Sequence, residues 1–279
     1  MQILQAVLMG IVQGLSEFLP ISSSGHLVFT SNFYKLIKGA EALIHSNQEV
    51  FLDIMLHLGT LIAVLIFFRK EILSIIISTY VAIKNKKFET IESRMGAYII
   101  LGTIITVVIA YPLNNFAAFL VFKPSYVAVL LILTGFLLIF SENFAKKIQE
   151  KKEINLKRAL LIGLAQGLAA LPGLSRSGLT IATGLLSGMS REQAAKYSFL
   201  LSIPIILGAS MVYPFVEFEM KEIAYYNLTA IIIGTIVSAI VGYLCIKYFI
   251  KFVSKFSLSV FGYYCIIMGV VVLYFFWGR

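Results

Sequence analysis

The stretch GIVQGLSEFLPISSSGH, residues 10–26, decides the fold, because an altered copy of it, GLAQGLAALPGLSRSGLT, occupies residues 163–180. Aligned without a gap, the two copies share Gly, Gln, Gly, Leu, Ser, Ser and Gly, and a Pro falls one position apart. Both copies insert polar and glycine-rich sequence into apolar surroundings. Such backbone is tolerated at membrane depth only where it lines a cavity walled by protein. Function is therefore expected in these two stretches.

The composition is that of a polytopic helical membrane protein. Hydrophobic residues make up 59% of the 279 residues, charged residues make up 13%, and the mean hydropathy is +0.91. These values exclude a soluble domain, and the continuous apolar runs argue against a transmembrane barrel. The first run carries Gln13 and Glu17 without a basic region before it, so no cleavable signal peptide is expected. Cys245 and Cys265 lie in apolar runs, which favours free, buried thiols.

Six apolar runs are long enough, or nearly so, to cross a hydrocarbon core of about 30 Å. They are predicted near residues 51–68, 95–112, 126–141, 197–214, 228–246 and 258–277. Two further segments, 2–34 and 159–189, are interrupted by Pro, Gly and Ser, and each of their halves is too short to span. Paired half-helices about a polar break predict two re-entrant hairpins. Residues 72–83, which lie between basic residues, predict a short interfacial helix.

The predicted fold is an all-α integral membrane protein in which a hairpin followed by three crossings occurs twice. Residues 1–141 are assigned to repeat 1 and residues 159–279 to repeat 2, with a basic cytoplasmic linker at 142–158. A hairpin returns to its own side of the membrane, whereas three crossings do not. The second repeat must therefore enter from the opposite face. This inverted topology brings the two hairpin tips together near the midplane.

The distribution of basic residues predicts the orientation. Seventeen of the 23 Lys and Arg residues lie in the segments that face inside when the N-terminus is outside: 69–94, 141–158, 190–196 and 247–257. Five lie in the opposite segments: Lys35, Lys38, Lys123, Lys221 and Arg279. The positive-inside rule then places both termini outside. The formal charge of +9 is thus a topology signal and not a nucleic-acid footprint.

The remaining basic residue, Arg176, lies between the two half-helices of the second hairpin. Burying a guanidinium costs several kcal/mol unless an anion or a set of acceptors compensates for it. Its planar fork suits phosphate oxygens, and a helix that begins near Gly178 would add backbone N–H donors. Hydroxyl donors flank it at Ser175, Ser177 and Thr180. The pattern predicts an oxyanion clamp, and the alternative is that Arg176 pairs with Glu17 in a purely structural role.

The first hairpin carries complementary chemistry. Glu17 lies one helical turn after Gln13, so the two side chains face the same way and could hold a divalent cation, or Glu17 could act as an acid–base group. A hydroxyl with an imidazole nearby is a candidate nucleophile and proton carrier. The hydroxyls are those of Ser22, Ser23 and Ser24, and the imidazole is that of His26.

Two residues of the first crossing are weaker candidates. Asp53 and His57 are one turn apart near its outer end. Asp53 could face the site or the membrane interface. For His57, an internal hydrogen bond is the preferred interpretation.

Residues 13–26 and 172–180 resemble the two motifs of the undecaprenyl pyrophosphate phosphatase family (UppP or BacA, the bacitracin-resistance proteins), and the resemblance covers essentially the whole chain. It implies a multi-pass enzyme of the bacterial plasma membrane that removes the terminal phosphate of undecaprenyl diphosphate. The product is the recycled lipid carrier for cell-wall sugars. The resemblance also implies a divalent cation, Mg²⁺ or Ca²⁺, and a site that opens toward the outer face.

Carried over residue by residue, the resemblance implies that the acid is Glu17, the hydroxyl Ser23, the histidine His26 and the arginine Arg176. Ser175 and Thr180 match its supporting hydroxyls. Many members have Glu where this chain has Gln13, so this chain would offer a cation one carboxylate and the less charged amide oxygen of Gln13. The expected partners are a polyprenyl diphosphate, membrane lipid and a second copy in a homodimer, without nucleic acid.

Several alternatives stay open at the level of sequence. Ser23 is the favoured nucleophile with His26 as its proton partner, but the reverse order, or attack by a metal-held water, also fits the residues. A polyprenyl-phosphate flippase or ion-coupled transporter is the main competing function, because inverted repeats with re-entrant tips are typical of carriers. A membrane scaffold would leave the buried Arg176 and Glu17 unexplained.

Overall fold

The computed structural model describes residues 3–38, 47–121, 123–148, 151–217 and 226–276. Within these ranges the chain is helical and has no strand. The predicted outer residues Lys221 and Arg279 lie outside the described part. The helices are α1 (Ile3–Ser16), α2 (Ser23–Lys38), α3 (Asn47–Phe67), α4 (Arg69–Asn85), α5 (Ile91–Val121), α6 (Pro124–Ala145), α7 (Leu156–Leu168), α8 (Arg176–Leu186), α9 (Arg191–Glu217), α10 (Leu228–Val253) and α11 (Ser259–Phe276).

Six of these helices are long and apolar enough to cross a membrane: α3, α5, α6, α9, α10 and α11. The prediction of six crossings is therefore confirmed, although α5, α6, α9 and α10 extend past the predicted runs. Helix α5 covers 31 residues and continues beyond Pro112, where the apolar run ends. Proline is tolerated inside a membrane helix because neighbouring groups satisfy the freed backbone. The short helix predicted at 72–83 is present within α4.

The two segments predicted as hairpins each contain two helices separated by a non-helical break. Helices α1 and α7 have 14 and 13 residues, which corresponds to about 20 Å of helix and falls short of a full crossing. Pro20 lies in the first break and Pro172 in the second. Helices α2 and α8 then begin at Ser23 and Arg176, so the breaks set the positions of these two side chains.

Glycines allow the first helix of each broken segment to approach a crossing helix from the other half of the chain. A Cβ added to Gly10 of α1 would lie 2.5 Å from the carbonyl oxygen of Gly234 in α10. A Cβ added to Gly163 of α7 would lie 2.6 Å from the carbonyl oxygen of Gly102 in α5. Thr106 in α5 donates a hydrogen bond to the Gly163 carbonyl at 3.0 Å. Close backbone packing through small residues is typical of helix association in membranes.

Buried aromatic rings fix the first break against the crossing helices. Phe18 is fully buried and meets Phe199 of α9 edge-on, with ring centroids 5.3 Å apart. Phe199 in turn contacts Phe249 of α10 at 5.9 Å. Because Phe18 adjoins Glu17, this packing holds the carboxylate at a defined depth in the protein.

An ion pair between the buried Glu142 and the partly exposed Arg191 joins α6 to the start of α9. Glu142 is fully buried, and both of its oxygens accept hydrogen bonds from Arg191. Oε2 of Glu142 also accepts from the backbone N–H of Leu258 at 3.2 Å. This pair is outside the candidate site, and its partners satisfy a carboxylate that would otherwise be costly to bury.

Candidate active site

Each break ends at a serine whose hydroxyl caps the following helix. Ser22 Oγ accepts from the N–H of Gly25 at 3.2 Å, and Ser175 Oγ accepts from the N–H of Gly178 at 3.0 Å. Serine suits this position because its short side chain reaches a backbone donor three residues on. The same cap in both copies gives the residues that follow, Ser23 and Arg176, equivalent places at the start of a helix.

The central contact is an ion pair between the two broken segments. Nη2 of Arg176 donates to Oε1 of Glu17 at 2.5 Å, across a separation of 159 residues in sequence. Only 5% of the Glu17 side chain and 17% of the Arg176 side chain are exposed. Each charge compensates for the burial of the other. Among the described residues, the second branch of the guanidinium, Nη1, has one long contact, of 3.5 Å, with the carbonyl of Ser198.

Three more side chains surround the Glu17 carboxylate. Ser23 Oγ donates to Oε2 at 2.7 Å, and Nε2 of Gln13 donates to the same oxygen at 3.0 Å. Nε2 of His57 lies 3.6 Å from Oε2, while its Nδ1 donates to the carbonyl of Asp53 at 2.8 Å. The internal hydrogen bond preferred for His57 is therefore present, but its other nitrogen faces the site, which sequence spacing alone did not indicate.

These groups form the polar end of a cavity of about 370 Å³. Its polar lining consists of Glu17, Ser23, Ser24, Asp53, His57, Arg176 and Ser210. The remaining wall is apolar and comes from helices α3 and α9 and the second break: Val50, Ile54, Ala169, Ala170, Leu174, Ile205, Ile206 and Ala209. A cavity with one charged end and one apolar wall suits an amphiphile with an anionic headgroup.

The hydroxyls predicted to support Arg176 brace the protein instead of lining this cavity. Ser177 Oγ donates to the carbonyl of Leu19 at 2.9 Å and so ties the second break to the first. Thr180 Oγ1 donates to the carbonyl of Arg176 at 2.7 Å and lies 2.6 Å from Ser198 Oγ. The three predicted hydroxyl residues, Ser175, Ser177 and Thr180, are almost fully buried. The N–H of Gly178 is likewise used, by the Ser175 cap.

His26 does not meet Ser23 in this structure. Its Nδ1 lies 2.8 Å from the carbonyl of Ser22, and its Nε2 lies 2.7 Å from the hydroxyl of Tyr264 in α11. The imidazole also stacks on the Tyr264 ring, with centroids 5.6 Å apart and an interplanar angle of 11°. The hydroxyl of Ser23 instead has the Glu17 carboxylate as its partner.

The residues at Glu17 do not fit the implied divalent cation as they are arranged. Both carboxylate oxygens accept from N–H or O–H donors, and Gln13 turns its NH₂ group, not its oxygen, toward Glu17. Gln13 Oε1 is buried without a partner, but so is Oε1 of Gln166 in the second copy, where no carboxylate is hydrogen-bonded to the amide. Among the described residues no group of three His, Cys, Asp or Glu side chains could hold a metal. The cation stays a prediction from the resemblance.

Comparison with known proteins finds a matching family model and relatives that cover nearly the whole chain. Residues 6–271 match the family model described as bacitracin resistance protein BacA. The chain is 41% identical over 278 residues to the undecaprenyl-diphosphatase of Halothermothrix orenii, covering 98% of each chain. It is 38% identical to the undecaprenyl-diphosphatase of Methanosphaera stadtmanae, again covering 98% of each chain, and 34% identical to that of Moorella thermoacetica over the full length of both.

Proposed function

The chain belongs to the family of bacitracin resistance protein BacA, and on that premise we infer that it is an undecaprenyl-diphosphatase. It is a multi-pass membrane hydrolase that converts undecaprenyl diphosphate to undecaprenyl phosphate and phosphate. This is the function of the bacitracin-resistance proteins, and it takes precedence over a flippase or transporter.

One observation carries the assignment to a specific site: the buried Glu17–Arg176 pair lines a cavity that also has an extended apolar wall. A lipid diphosphate needs an anion clamp at membrane depth and an apolar path for its tail. Arg176 supplies the clamp, because within the described part of the chain its Nη1 branch is held only by the long contact to Ser198. Incoming phosphate oxygens compete with Glu17 for the guanidinium fork, which binds phosphate in a bidentate way.

The proposed chemistry is a phosphoryl transfer with Ser23 as nucleophile. Its hydroxyl already donates to Glu17 Oε2, so Glu17 is the base that accepts the proton. Ser23 Oγ forms a bond to the terminal phosphorus as the anhydride P–O bond breaks, and undecaprenyl phosphate leaves with the electron pair. Arg176 stabilises the charge on the transferred group.

The second half of the cycle regenerates the hydroxyl. Glu17 gives its proton to the departing monophosphate and then, ionised again, accepts one from an attacking water. The water oxygen bonds to phosphorus, the Ser23–phosphate bond breaks, and Ser23 regains a proton from Glu17. Because Arg176 turns from Glu17 toward the phosphate during binding, the carboxylate becomes a stronger base at the time it is needed.

We further propose that the two broken segments are re-entrant hairpins of an inverted repeat, as the sequence predicts. The reciprocal packing of α1 on α10 and of α7 on α5 supports this, since equivalent helices meet equivalent partners in the other half. The arrangement leaves both termini outside and opens the cavity toward the outer face. The homodimer stays a prediction.

The direct test uses the purified, detergent-solubilised protein and a long-chain polyprenyl diphosphate. One phosphate should be released per substrate molecule, with the polyprenyl monophosphate as the other product. Glu17→Gln should abolish release, whereas Arg94→Lys, an exposed site outside the cavity, should not change it. Absence of release from a well-folded protein that still binds the lipid would contradict the assignment and favour a carrier.

A further inference from the structure

The first break contains a strained residue that the second break lacks. Ser22 has φ of 68°, in the left-handed region that is unfavourable for a residue with a side chain. In the second break the positive φ, 96°, belongs to Gly173, which adopts it without strain. The first break therefore needs an additional contact to keep Ser22 in this conformation, and Ser22 immediately precedes the nucleophile Ser23.

His26 supplies that contact. The Ser22 carbonyl accepts both the backbone N–H of His26, at 3.1 Å, and its side-chain Nδ1, at 2.8 Å. A carbonyl can only accept, so the proton of the neutral imidazole is on Nδ1 and Nε2 is an acceptor. The hydroxyl of Tyr264 donates to Nε2 at 2.7 Å, and the stacked rings fix the plane of the imidazole.

We propose that His26 is a positioning residue that acts through the Ser22 carbonyl, and that Tyr264 is a further positioning residue of the same kind. Together they hold the Ser22 turn so that the Ser23 hydroxyl points at Glu17. This deepens the proposed function and rests on it. The second copy has Leu179 at the position equivalent to His26. It needs no such supporting contact, because the residue with positive φ in that break is a glycine.

The proposal separates the two nitrogens of His26, so it can be tested with two substitutions. In His26→Asn the side-chain NH₂ takes the place of Nδ1 and can still donate to Ser22, whereas His26→Gln reaches toward Tyr264 and loses that donor. His26→Asn should keep kcat within about 10-fold of the unaltered enzyme, because one neutral hydrogen bond is worth about 2- to 10-fold. The kcat of His26→Gln and of His26→Ala should fall by well over 10-fold, and KM should be unchanged in all three variants.

Tyr264 is tested by removing its hydroxyl. Tyr264→Phe should lower kcat about 3- to 10-fold in the unaltered background and not at all in the His26→Asn background, where Nε2 is absent. Tyr263→Phe, an exposed neighbour on the same helix, is the matched control and should have no effect. If Tyr264→Phe retains full kcat, or if His26→Asn is as inactive as His26→Ala, the positioning role is wrong and His26 is a proton carrier.

A readout without turnover separates this proposal from the proposed function. The chain has three histidines, so protein labelled with ¹⁵N-histidine gives few imidazole signals, and the His26→Asn variant identifies those of His26. The Nδ1 signal should be that of a protonated nitrogen, and Tyr264→Phe should shift the Nε2 signal. If both hold in a protein that releases no phosphate, the contact stands and the proposed function fails. If Tyr264→Phe leaves the Nε2 signal unchanged, the hydrogen bond between Tyr264 and His26 is refuted.

Discussion

Replacing Arg176 by lysine tests the clamp while leaving its charge in place. In the structure Nη2 holds Glu17 at 2.5 Å, and Nη1 makes a long contact with the carbonyl of Ser198. Lysine can keep the pair with Glu17 but cannot offer a planar fork to phosphate. One charge-assisted hydrogen bond is then lost, which is worth about 1.5–3 kcal/mol.

At 1.36 kcal/mol per factor of ten, this loss corresponds to a fall in kcat/KM of about 10- to 150-fold. The assay is phosphate release from a long-chain polyprenyl diphosphate in detergent, with Arg94→Lys as the matched control. Arg176→Ala should be inactive and also less stable, because it leaves the buried Glu17 carboxylate without its cation. The double variant Glu17→Gln/Arg176→Ala should recover stability and stay inactive. Arg176→Lys with unchanged kcat/KM would refute the clamp.

The other predictions concern the nucleophile, the cation and the packing. Ser23→Ala should lower kcat about 10³-fold or more and abolish a trapped phospho-enzyme; a label found on another residue would contradict the mechanism. Gln13→Glu places a second carboxylate 3.0 Å from Glu17, so its activity should depend more strongly on added Mg²⁺ or Ca²⁺ than that of the unaltered chain; equal dependence would count against this reasoning. Gly163→Ala should cost about 1–3 kcal/mol and lower the melting temperature, because the new methyl meets backbone of α5, whereas Gly208→Ala, which meets nothing within 4 Å, should not. Arg191→Met should destabilise by about 3–5 kcal/mol, because it leaves the fully buried Glu142 carboxylate without its cation, while removal of the exposed Lys87–Glu89 pair should have no measurable effect.

The sequence predicts the crossings well because a membrane helix must be apolar over most of its length. It predicts helix ends less well, since α5 continues through Pro112 and two asparagines to Val121. The internal repeat directs attention to Glu17 and Arg176, and the structure brings these two side chains into contact.

The remaining parts of the site depend on contacts between distant segments. Tyr264 is 238 residues from His26, and no spacing rule connects them. The sequence places an imidazole close to a group of hydroxyls, and His26 is therefore predicted to be the proton partner of Ser23. In the structure the imidazole instead contacts Tyr264 of α11, and the Ser23 hydroxyl donates to Glu17. Both partners belong to other parts of the chain, so the local pattern of residues 22–26 could not indicate them.

The reciprocal glycine contacts of α1 with α10 and of α7 with α5 mean that neither half of the chain can be completed by its own residues. Each half provides the helix against which the first helix of the other half packs, so the two halves are not independent folding units. A half expressed alone would expose the surfaces that pack between the halves: α1 and α5 in the first half, and α7 and α10 in the second. Two halves supplied as separate polypeptides should therefore associate in the bilayer and restore one working centre, with the acid from one piece and the guanidinium from the other.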